Sequence, residues 1–543
     1  MVAFQIVYMT LNSAMYDENK IVSREGQAFE LFKPFRSLIR SHTENVYGFL
    51  PKNLAPSLQR RYYQFLANTS FVSFRRALYA RPDDVMKIID CNGRLELDAA
   101  IGFCFAQGKI TERITTYSVR QYLLFWMRWT IALLTLLKFW GPKPIQKGTQ
   151  ISILYGCISG LVKTQSDLER IDAFLRRNPV SGLNTSKAFI FHGNTKLPVT
   201  APDTYITRLP EAIAITLLDL SINDRVNLLF HHFSGLFKSH KLFVNLPGVT
   251  SFAEEFGDFF VLSKIAEMGW IGAAVHTTSN STLQRLWTHG KLVTTHHIYY
   301  NIYALHPVHK SDPNPDLGML DYPIFTTARG THWMWSDEDC EAMQSMYKLI
   351  NVKTLGLPQL FYQKIEKQKS KHPSSKFDIV IFDVTPFDAD QHKKANVTFH
   401  YGNVRTACKL IDDVINVALS LNNGSLNRLN IALKPKRSLD HALVHPEYID
   451  YLHQATSRYK NFVILDQDTE LNQLLNPKTV FISRPYTSIA KLVALHGSKS
   501  LFYDPTQELI NIPLFMTGVE FASGVDDLKS KLTNAFLDLR GQS

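Results

Sequence analysis

The chain has 543 residues, of which 45% are hydrophobic and 20% are charged, so it can bury a large core and forms two or three domains. Its net charge of +11 indicates an anionic partner, such as nucleic acid, an anionic membrane surface or a nucleotide-containing substrate. The sequence contains no zinc finger, RNP1 motif or arginine-rich tail, which disfavours nucleic acid. Its five scattered cysteines form no CxxC pair, and the N-terminus lacks a signal peptide, so a reducing cytosol is expected.

Residues 1–180 are predicted to form a mostly helical, basic region. Residues 121–140 are the most apolar stretch, but Arg128 interrupts it, and a bilayer-spanning helix needs about 20 apolar residues. Two interpretations remain open for this helix. It lies in the lipid headgroup layer with its tryptophans at the interface, or it is buried in the protein with Arg128 paired. The tryptophans are Trp126, Trp129 and Trp140.

A cluster of Pro, Ser and Gly at residues 178–185 predicts a domain boundary. Beyond it, short apolar runs alternate with helical patterns, which favours a Rossmann-like parallel-sheet domain over residues 181–363. The predicted strands are 188–192, 242–245 and 270–276, and the predicted helix is 252–268.

Residues 364–376 are rich in lysine and are predicted to be a linker. Residues 377–543 again alternate strand and helix patterns, which predicts a second Rossmann-like domain. The predicted strands begin at residues 377, 429, 462, 480 and 501, and the predicted helices are 404–421, 448–457, 489–497 and 526–539.

A polar bend at residues 483–488 joins the strand that begins at residue 480 to the next helix. The bend places hydroxyls at a helix N-terminus, which carries about half a positive charge and unpaired N–H donors. Thr487 or Ser488 is therefore expected either to cap the helix or to bind a phosphate directly. The spacing alone leaves both possibilities open.

The string Arg-Pro-Tyr-Thr-Ser at residues 484–488, with the later strings Gly-Ser-Lys-Ser and Tyr-Asp-Pro, resembles the signature of bacterial polysaccharide-biosynthesis proteins named after a Pro-Phe-Thr-Ser motif. Tyr486 replaces the Phe. More distantly, the bend is similar to the loop that holds the nucleotide phosphate in GT-B glycosyltransferases using CMP-activated sugars, such as sialyl- and Kdo-transferases. The closer resemblance covers the C-terminal third of the chain. It implies a GT-B-like pair of Rossmann-like domains with a donor site in their cleft, contacted by Arg484, Tyr486, Thr487 and Ser488.

Further donor-site residues are expected after other strands of the second domain. Lys434, Lys436 and Arg437 would neutralise the phosphate of the departing nucleotide, unless they form a solvated basic loop. The CMP-sugar transferases have a Lys-Pro-His-Pro-like string in this kind of place, and His445 stands in for the missing histidine. Asp383 is expected either to bind sugar hydroxyls or to form an Asx turn.

The acceptor side is expected in the first domain. An inverting transferase needs a base that deprotonates the acceptor hydroxyl, and in GT-B folds this base usually comes from the N-terminal domain. Glu255 is the first candidate and Glu254 the second, with Asp258 on the same helix face as Glu254 and neighbouring aromatics able to raise a carboxyl pKa. The alternative is that these acidic residues only complement the helix dipole.

A polar loop of Thr277, Thr278 and Ser279 is expected to bind the acceptor sugar or the donor phosphate. Trp333 either stacks on a sugar ring or belongs to the core. No metal and no cofactor are expected, because the Asp-x-Asp patterns at 388–390 and 466–468 are short enough to arise by chance and the histidines lack a carboxylate-completed motif.

The resemblance implies a metal-independent glycosyltransferase of bacterial surface polysaccharide (capsule or O-antigen) biosynthesis. It would transfer a sugar from a nucleotide-sugar donor, with a CMP-sugar favoured, to a lipid-linked or oligosaccharide acceptor glycan. The expected location is cytoplasmic, peripheral to the inner face of the inner membrane, with the membrane surface as a partner and no nucleic acid. A nucleotide-sugar epimerase of the same build and a non-catalytic scaffold in a polysaccharide assembly complex remain as alternatives.

Overall fold

The computed structural model describes residues 110–137, 150–156, 169, 171, 173–176, 183, 186–193, 203–245, 253–278, 284–289, 292–299, 310, 330–347, 351–355, 377–386, 404–421, 429–441, 444–485, 487–511 and 518–541. The chain divides into two compact units. The first consists mainly of Gln27–Tyr300 and Met319–Gln363, and the second mainly of Asn301–Gly318 and Lys364–Ser543.

The first unit contains a seven-stranded parallel sheet with the order β3-β2-β1-β4-β5-β6-β7. Its strands are β1 Gln150–Tyr155, β2 Ser186–His192, β3 Thr204–Thr207, β4 Ile271–Thr278, β5 Thr294–Tyr299, β6 Thr331–Met334 and β7 Val352–Thr354. Strands β1 and β2 are buried on both faces along most of their length, as expected of a parallel sheet covered by helices. The strand order reverses between β1 and β4, and α/β proteins bind ligands at the carboxyl ends of strands at such a switch point.

The helices of the first unit are α1 Ile110–Leu137, α2 Pro210–Leu217, α3 Ile222–Asn245, α4 Glu254–Glu267, a 3-10 helix Leu286–His289, and α5 Asp337–Tyr347. The first three and the 3-10 helix pack against α4, whereas α5 packs against β6 and β7. Two glycines permit the close approach of these helices. A Cβ at Gly257 would lie 2.7 Å from the Cβ of Arg128 on α1, and one at Gly235 on α3 would lie 2.4 Å from the ring of Phe260. Within the described part of the chain, no helix is both long enough and apolar enough to cross a membrane.

The second unit contains a six-stranded parallel sheet with the order β10-β9-β8-β11-β12-β13. Its strands are β8 Ile379–Phe382, β9 Ile431–Lys434, β10 Phe462–Ile464, β11 Val480–Ser483, β12 Lys499–Asp504 and β13 Val519–Ser523. Its helices are α6 Val404–Leu421, α7 Pro446–Arg458, α8 Leu471–Leu474, α9 Ser488–Leu495 and α10 Val525–Gly541. This strand order is the doubly wound Rossmann order, and its switch point lies between β8 and β11.

The predicted alternation of strands and helices is confirmed in both units, so the chain is an α/β protein with parallel sheets. Helix α6 has the predicted bounds, and α9 ends where Gly497 adopts a left-handed φ of 79°.

Two predictions about the first unit need correction. Residues 242–245 are the last turn of α3 and not a strand, because Phe243 continues the buried face of that helix and packs edge-on against Phe125 of α1. The sheet also begins earlier than the boundary predicted at 178–185, because β1 pairs with both β2 and β4 at its centre. Residues 1–109 and the linker 364–376 lie outside the described residues.

Candidate functional site

Polar and basic side chains gather where three neighbouring strands of the second sheet end. Strand β8 pairs with β9 on one side and with β11 on the other, and all three run parallel. The residues that follow them therefore meet at one edge of the sheet, at its switch point. We call this cluster the switch-point edge. It comprises Asp383, Thr385, Lys434, Lys436, Arg437, Arg484, Thr487 and Ser488.

Asp383 organises the loop that follows β9. Its Oδ1 accepts hydrogen bonds from the backbone N–H of Lys436 at 2.7 Å and from the hydroxyl of Thr385 at 3.0 Å. Its Oδ2 accepts one from the hydroxyl of Tyr448 at 2.6 Å. The hydroxyl of Thr385 in turn accepts the backbone N–H of Arg437 at 3.2 Å. Asp383 thus holds the basic loop in place, and its predicted contact with sugar hydroxyls stays a prediction.

Tyr448 is the residue of this site that the sequence did not single out. It is fully buried on α7, and burial raises its pKa well above the usual range. The negative charge of Asp383 raises that pKa further, while the positive charge of Arg484 lowers it. Tyr448 therefore keeps its proton and donates a hydrogen bond to Asp383. The Arg484 guanidinium that acts on Tyr448 is itself buried.

The cations of the basic loop differ in their surroundings. Lys436 is exposed, and Arg437 is half-buried with its Nη1 3.5 Å from the carbonyl oxygen of Thr385. Lys434 is also half-buried and donates a 2.7 Å hydrogen bond to the carbonyl oxygen of Gln467, and burial lowers its pKa. Lys434 thus ties the end of β9 to the loop after β10, which leaves Lys436 and Arg437 as the better placed cations for an anionic ligand.

Thr487 occupies the N-cap position of α9 but does not cap it with its side chain. Its backbone is extended, with φ −86° and ψ 135°, and its hydroxyl donates to the carbonyl oxygen of Arg484 at 3.0 Å. Ser488, the first helical residue, is buried. A helix start without a side-chain cap keeps its positive potential for another acceptor. Tyr486 lies outside the described residues.

His445 has a local structural role. It is the N-cap of α7, where its Nδ1 accepts the backbone N–H of Glu447 at 3.2 Å. Its own backbone N–H donates to the carbonyl oxygen of Pro386 at 3.0 Å. His445 therefore joins the start of α7 to the segment after β8, and its predicted contact with the donor stays a prediction.

In the first unit, Arg128 of α1 is the centre of a buried ionic cluster. It is 2% exposed, and its guanidinium lies 2.6 Å from Glu254, 3.3 Å from Glu211 and 3.4 Å from Asp258. Glu254 and Asp258 share one face of α4, as predicted. Burial raises the pKa of Glu211 and raises that of Asp258 well above its usual range, and Arg128 partly offsets both shifts.

This ionic cluster shows which interpretation of the apolar helix α1, burial in the protein or contact with lipid headgroups, applies to the helix face that carries Arg128. That face is buried in the protein with Arg128 paired, and Trp129 is buried and stacks on His232 at 4.8 Å. The prediction that Trp129 lies among lipid headgroups is therefore wrong. Trp126 is half-buried, and Trp140 lies outside the described residues.

Glu255, the first candidate for the catalytic base, has different partners from Glu254 and Asp258, which contact Arg128. Its Oε2 accepts the backbone N–H of Leu286 at 2.9 Å, and its Oε1 lies 4.0 Å from the guanidinium of Arg285. Arg285 also lies 3.4 Å from His192 and 5.4 Å from the centre of the Tyr155 ring, at the ends of β2 and β1. Burial, followed by the charge of Arg285, lowers the pKa of His192 to about 2. Glu255 thus lies at the switch point of the first sheet, with an arginine as its partner.

The other residues predicted to bind the acceptor have different surroundings. The hydroxyl of the buried Thr277 donates to the carbonyl oxygen of Tyr155 at 3.0 Å and so joins β4 to β1. Thr278 is the last residue of β4, and Ser279 lies outside the described residues. Trp333 is 9% exposed and donates its indole N–H to His296 at 3.1 Å. Trp333 is therefore a core residue and does not present the open ring face that sugar stacking needs.

A ladder of stacked rings crosses the first sheet, and it was not predicted from the sequence. Tyr155, His276, His297 and His332 lie in register on β1, β4, β5 and β6. Successive ring centres are 5.2, 5.3 and 4.8 Å apart. The adjacent histidines at 296–297 were its only indication in the sequence. Among the described residues, no group of His, Cys, Asp or Glu is arranged to hold a metal ion.

Two doubly wound α/β units, with a basic edge at the switch point of the second, define the structural class of the protein. The chain belongs to the polysaccharide biosynthesis PFTS motif protein family, whose profile matches residues 259–532, just over half of the 543 residues. No curated protein matches the chain.

Among solved structures, the chain is similar to a mutant of the O-GlcNAc transferase of Thermobaculum terrenum. The two share 11% sequence identity over 99% of this chain and 92% of that one, with a TM-score of 0.33. A similarity of this size assigns neither a fold nor an activity to the chain.

Proposed function

We propose that the chain is a glycosyltransferase of polysaccharide assembly that binds a nucleotide-sugar at the switch-point edge of its second unit. Membership of the polysaccharide biosynthesis family supports the biological setting. The observation that carries the proposal is the convergence, at one switch point, of the family's motif segment with the basic loop held by Asp383. A GT-B-like pairing of the two units is part of the proposal.

The switch-point edge has the charge that nucleotide departure requires. As the bond between sugar and phosphate breaks, negative charge grows on the leaving phosphate. The N-terminus of α9, which lacks a side-chain cap, and the cations Lys436 and Arg437 stabilise that charge, and the buried Arg484 adds a further positive charge. One helix N-terminus and two loop cations match a donor with a single phosphate, so a CMP-sugar is the favoured donor.

The acceptor site belongs, in this proposal, to the switch point of the first sheet. Glu255 is the proposed base and Glu254 the second candidate, with Thr278 and Ser279 as acceptor contacts, whereas Thr277 is fully buried and is not proposed to touch the acceptor. An arginine lies beside each glutamate, 2.6 Å from Glu254 and 4.0 Å from Glu255. Glu255→Gln removes the proposed base, so we expect kcat to fall at least about 100-fold. Because the glutamine keeps an oxygen that accepts the N–H of Leu286, we expect the melting temperature to stay unchanged.

The donor site is tested by titrating CMP, UDP, GDP and CDP into the purified protein by isothermal titration calorimetry. The double variant Lys436→Ala/Arg437→Ala is expected to weaken nucleotide binding by about 100-fold, since each charged hydrogen bond contributes about 1.5–3 kcal/mol. The matched control is Lys409→Ala, which removes an exposed lysine of the same unit that pairs with Asp413. Equal binding by both variants contradicts the proposed donor site.

Turnover assays separate the proposal from its rivals. A transferase releases free nucleotide from its donor in proportion to glycosylated acceptor. An epimerase converts the donor without an acceptor, and a scaffold binds none of the four nucleotides. Either of the last two results overturns the assignment as a transferase.

A further inference from the structure

Two helices of the first unit each carry a stripe of exposed, large apolar side chains. The members of each stripe follow one another at intervals of three, four or seven residues, which places them on one helix face. The stripe on α3 is Ile222, Val226, Phe230, Phe233 and Phe237, and that on α1 is Leu123, Met127, Leu134 and Leu137. Phe230 and Phe237 are 74% and 73% exposed, far more than a core-facing phenylalanine.

The two stripes form one surface. Helices α1 and α3 pack antiparallel, because Tyr122 contacts His240 at 3.2 Å at one end and Arg225 donates to the carbonyl oxygen of Leu136 at 3.3 Å at the other. Both helices bury their opposite faces against α4. The two exposed stripes therefore point away from α4 on the same side. We call this surface the α1–α3 ridge.

We propose that the α1–α3 ridge docks on an anionic lipid surface. Single exposed apolar residues are ordinary, but nine large ones on two neighbouring helices mark an interaction site. An amphipathic helix that lies in the plane of a membrane inserts such residues at the boundary between headgroups and acyl chains. This mode of binding needs no membrane-spanning helix.

Charge favours anionic lipid over a protein occupant. Apart from the buried Arg128, α1 and α3 contain five Lys and Arg against two Asp and Glu. The side chains of Arg120, Arg225 and Lys238 are exposed or half-buried beside the stripes, where anionic headgroups would attract them. A second copy of the ridge would bring the same charge against itself. Residues 1–109, with 14 Lys and Arg against 10 Asp and Glu, are also basic and do not complement it.

This docking goes beyond sugar transfer and is independent of it. The surface belongs to the first unit, whereas the proposed donor site belongs to the second, so a failure of one proposal leaves the other standing. Docking would bring a lipid-linked acceptor to the enzyme, whichever nucleotide the donor carries.

The test is flotation of the full-length protein with vesicles of phosphatidylcholine, with and without phosphatidylglycerol. The wild-type protein is expected to float with the phosphatidylglycerol vesicles and to bind weakly to phosphatidylcholine alone. The variant Phe230→Asp/Phe237→Asp is expected to lose at least about 100-fold in its partition coefficient, because each buried phenylalanine contributes roughly tenfold or more. The matched control Leu537→Asp changes a 59% exposed residue of the second unit and is expected to float like wild type.

Three outcomes overturn the proposal. The first is wild-type protein that stays soluble beside phosphatidylglycerol vesicles. The second is equal flotation by wild type and the double phenylalanine variant. The third is a wild-type dimer, seen by sedimentation without vesicles, that becomes a monomer in the variant while neither floats, which assigns the ridge to a second copy. Matching melting temperatures and nucleotide affinities show that the variants are folded.

Discussion

Replacing Arg128 with Met is expected to destabilise the first unit more at neutral than at acidic pH. The guanidinium lies 2.6–3.4 Å from Glu254, Glu211 and Asp258 and is 2% exposed. Methionine fills much of the same space but carries no charge. The carboxylates of Glu211 and Asp258, which are 0% and 1% exposed, then lose their counter-charge.

The size of the loss follows from the charges that remain. Removing one partner of a buried ion pair costs about 3–5 kcal/mol. Burial already raises the pKa values of Glu211 and Asp258, and without Arg128 they rise further above their unfolded values of about 4. Such a group leaves stability intact below its unfolded pKa and reduces it as pH rises, by about 1.4 kcal/mol per pH unit. The defect is therefore largest near about pH 7 and small near about pH 4 to 5.

Differential scanning calorimetry at acidic and neutral pH measures this difference. Arg128→Met is expected to lower the melting temperature of the first unit strongly at neutral pH and only slightly at acidic pH. The control is Arg120→Met, on the same helix but exposed, which is expected to change neither value. If Arg128→Met melts at the wild-type temperature at neutral pH, or loses the same amount at both pH values, Arg128 is not the counter-charge that stabilises Glu211 and Asp258.

Three further predictions concern other contacts. Tyr448→Phe leaves Asp383 one hydrogen bond short and is expected to cost about 1–3 kcal/mol and to weaken nucleotide binding in calorimetry; unchanged affinity contradicts the role of Asp383 in the loop. Gly257→Ala places a methyl group 2.7 Å from the Cβ of Arg128 and is expected to cost about 1–3 kcal/mol in thermal unfolding, whereas a neutral result contradicts the tight approach of α1 and α4. Burial lowers the pKa of His192 in the folded protein to about 2, whereas in the unfolded chain it is about 6.5. The free energy of unfolding is therefore expected to decrease as the pH is lowered below about 6.5, by about 1.4 kcal/mol per pH unit. His192→Asn should flatten that slope in urea unfolding at successive pH values, and an unchanged slope counts against it.

The second sheet was largely predictable because its local signals agree with its fold. Helix α6 repeats apolar residues at helical spacing, and each short strand is an apolar run followed by turn residues. The polar bend before α9 also lies where the sequence indicated, at the carboxyl end of β11.

The first unit was harder because its elements depend on distant partners. Residues 150–155 form a short apolar run in a basic, aromatic region that favours helix, and only pairing with β2 and β4 makes them a strand. Arg128 lies 83 to 130 residues from the carboxylates that neutralise it. No local pattern indicates such a pairing, so the buried and interfacial interpretations of that helix looked alike.

The candidate site shows the same division. The positions of Thr487 and of the basic loop follow from strand ends, which the sequence marks. The dependence of that loop on Tyr448 does not, because a tyrosine on the inner face of α7 has the pattern of any core residue. Trp333 was offered as a sugar-binding residue but belongs to the core, because a tryptophan suited to a sugar ring is equally suited to a core.

The most direct test of the central claim is a crystal structure of the protein with CMP. We expect the phosphate to lie at the N-terminus of α9, within hydrogen-bond distance of its first N–H groups and close to Lys436 and Arg437. A well-ordered nucleotide bound elsewhere on the chain, with the switch-point edge unoccupied, would contradict it.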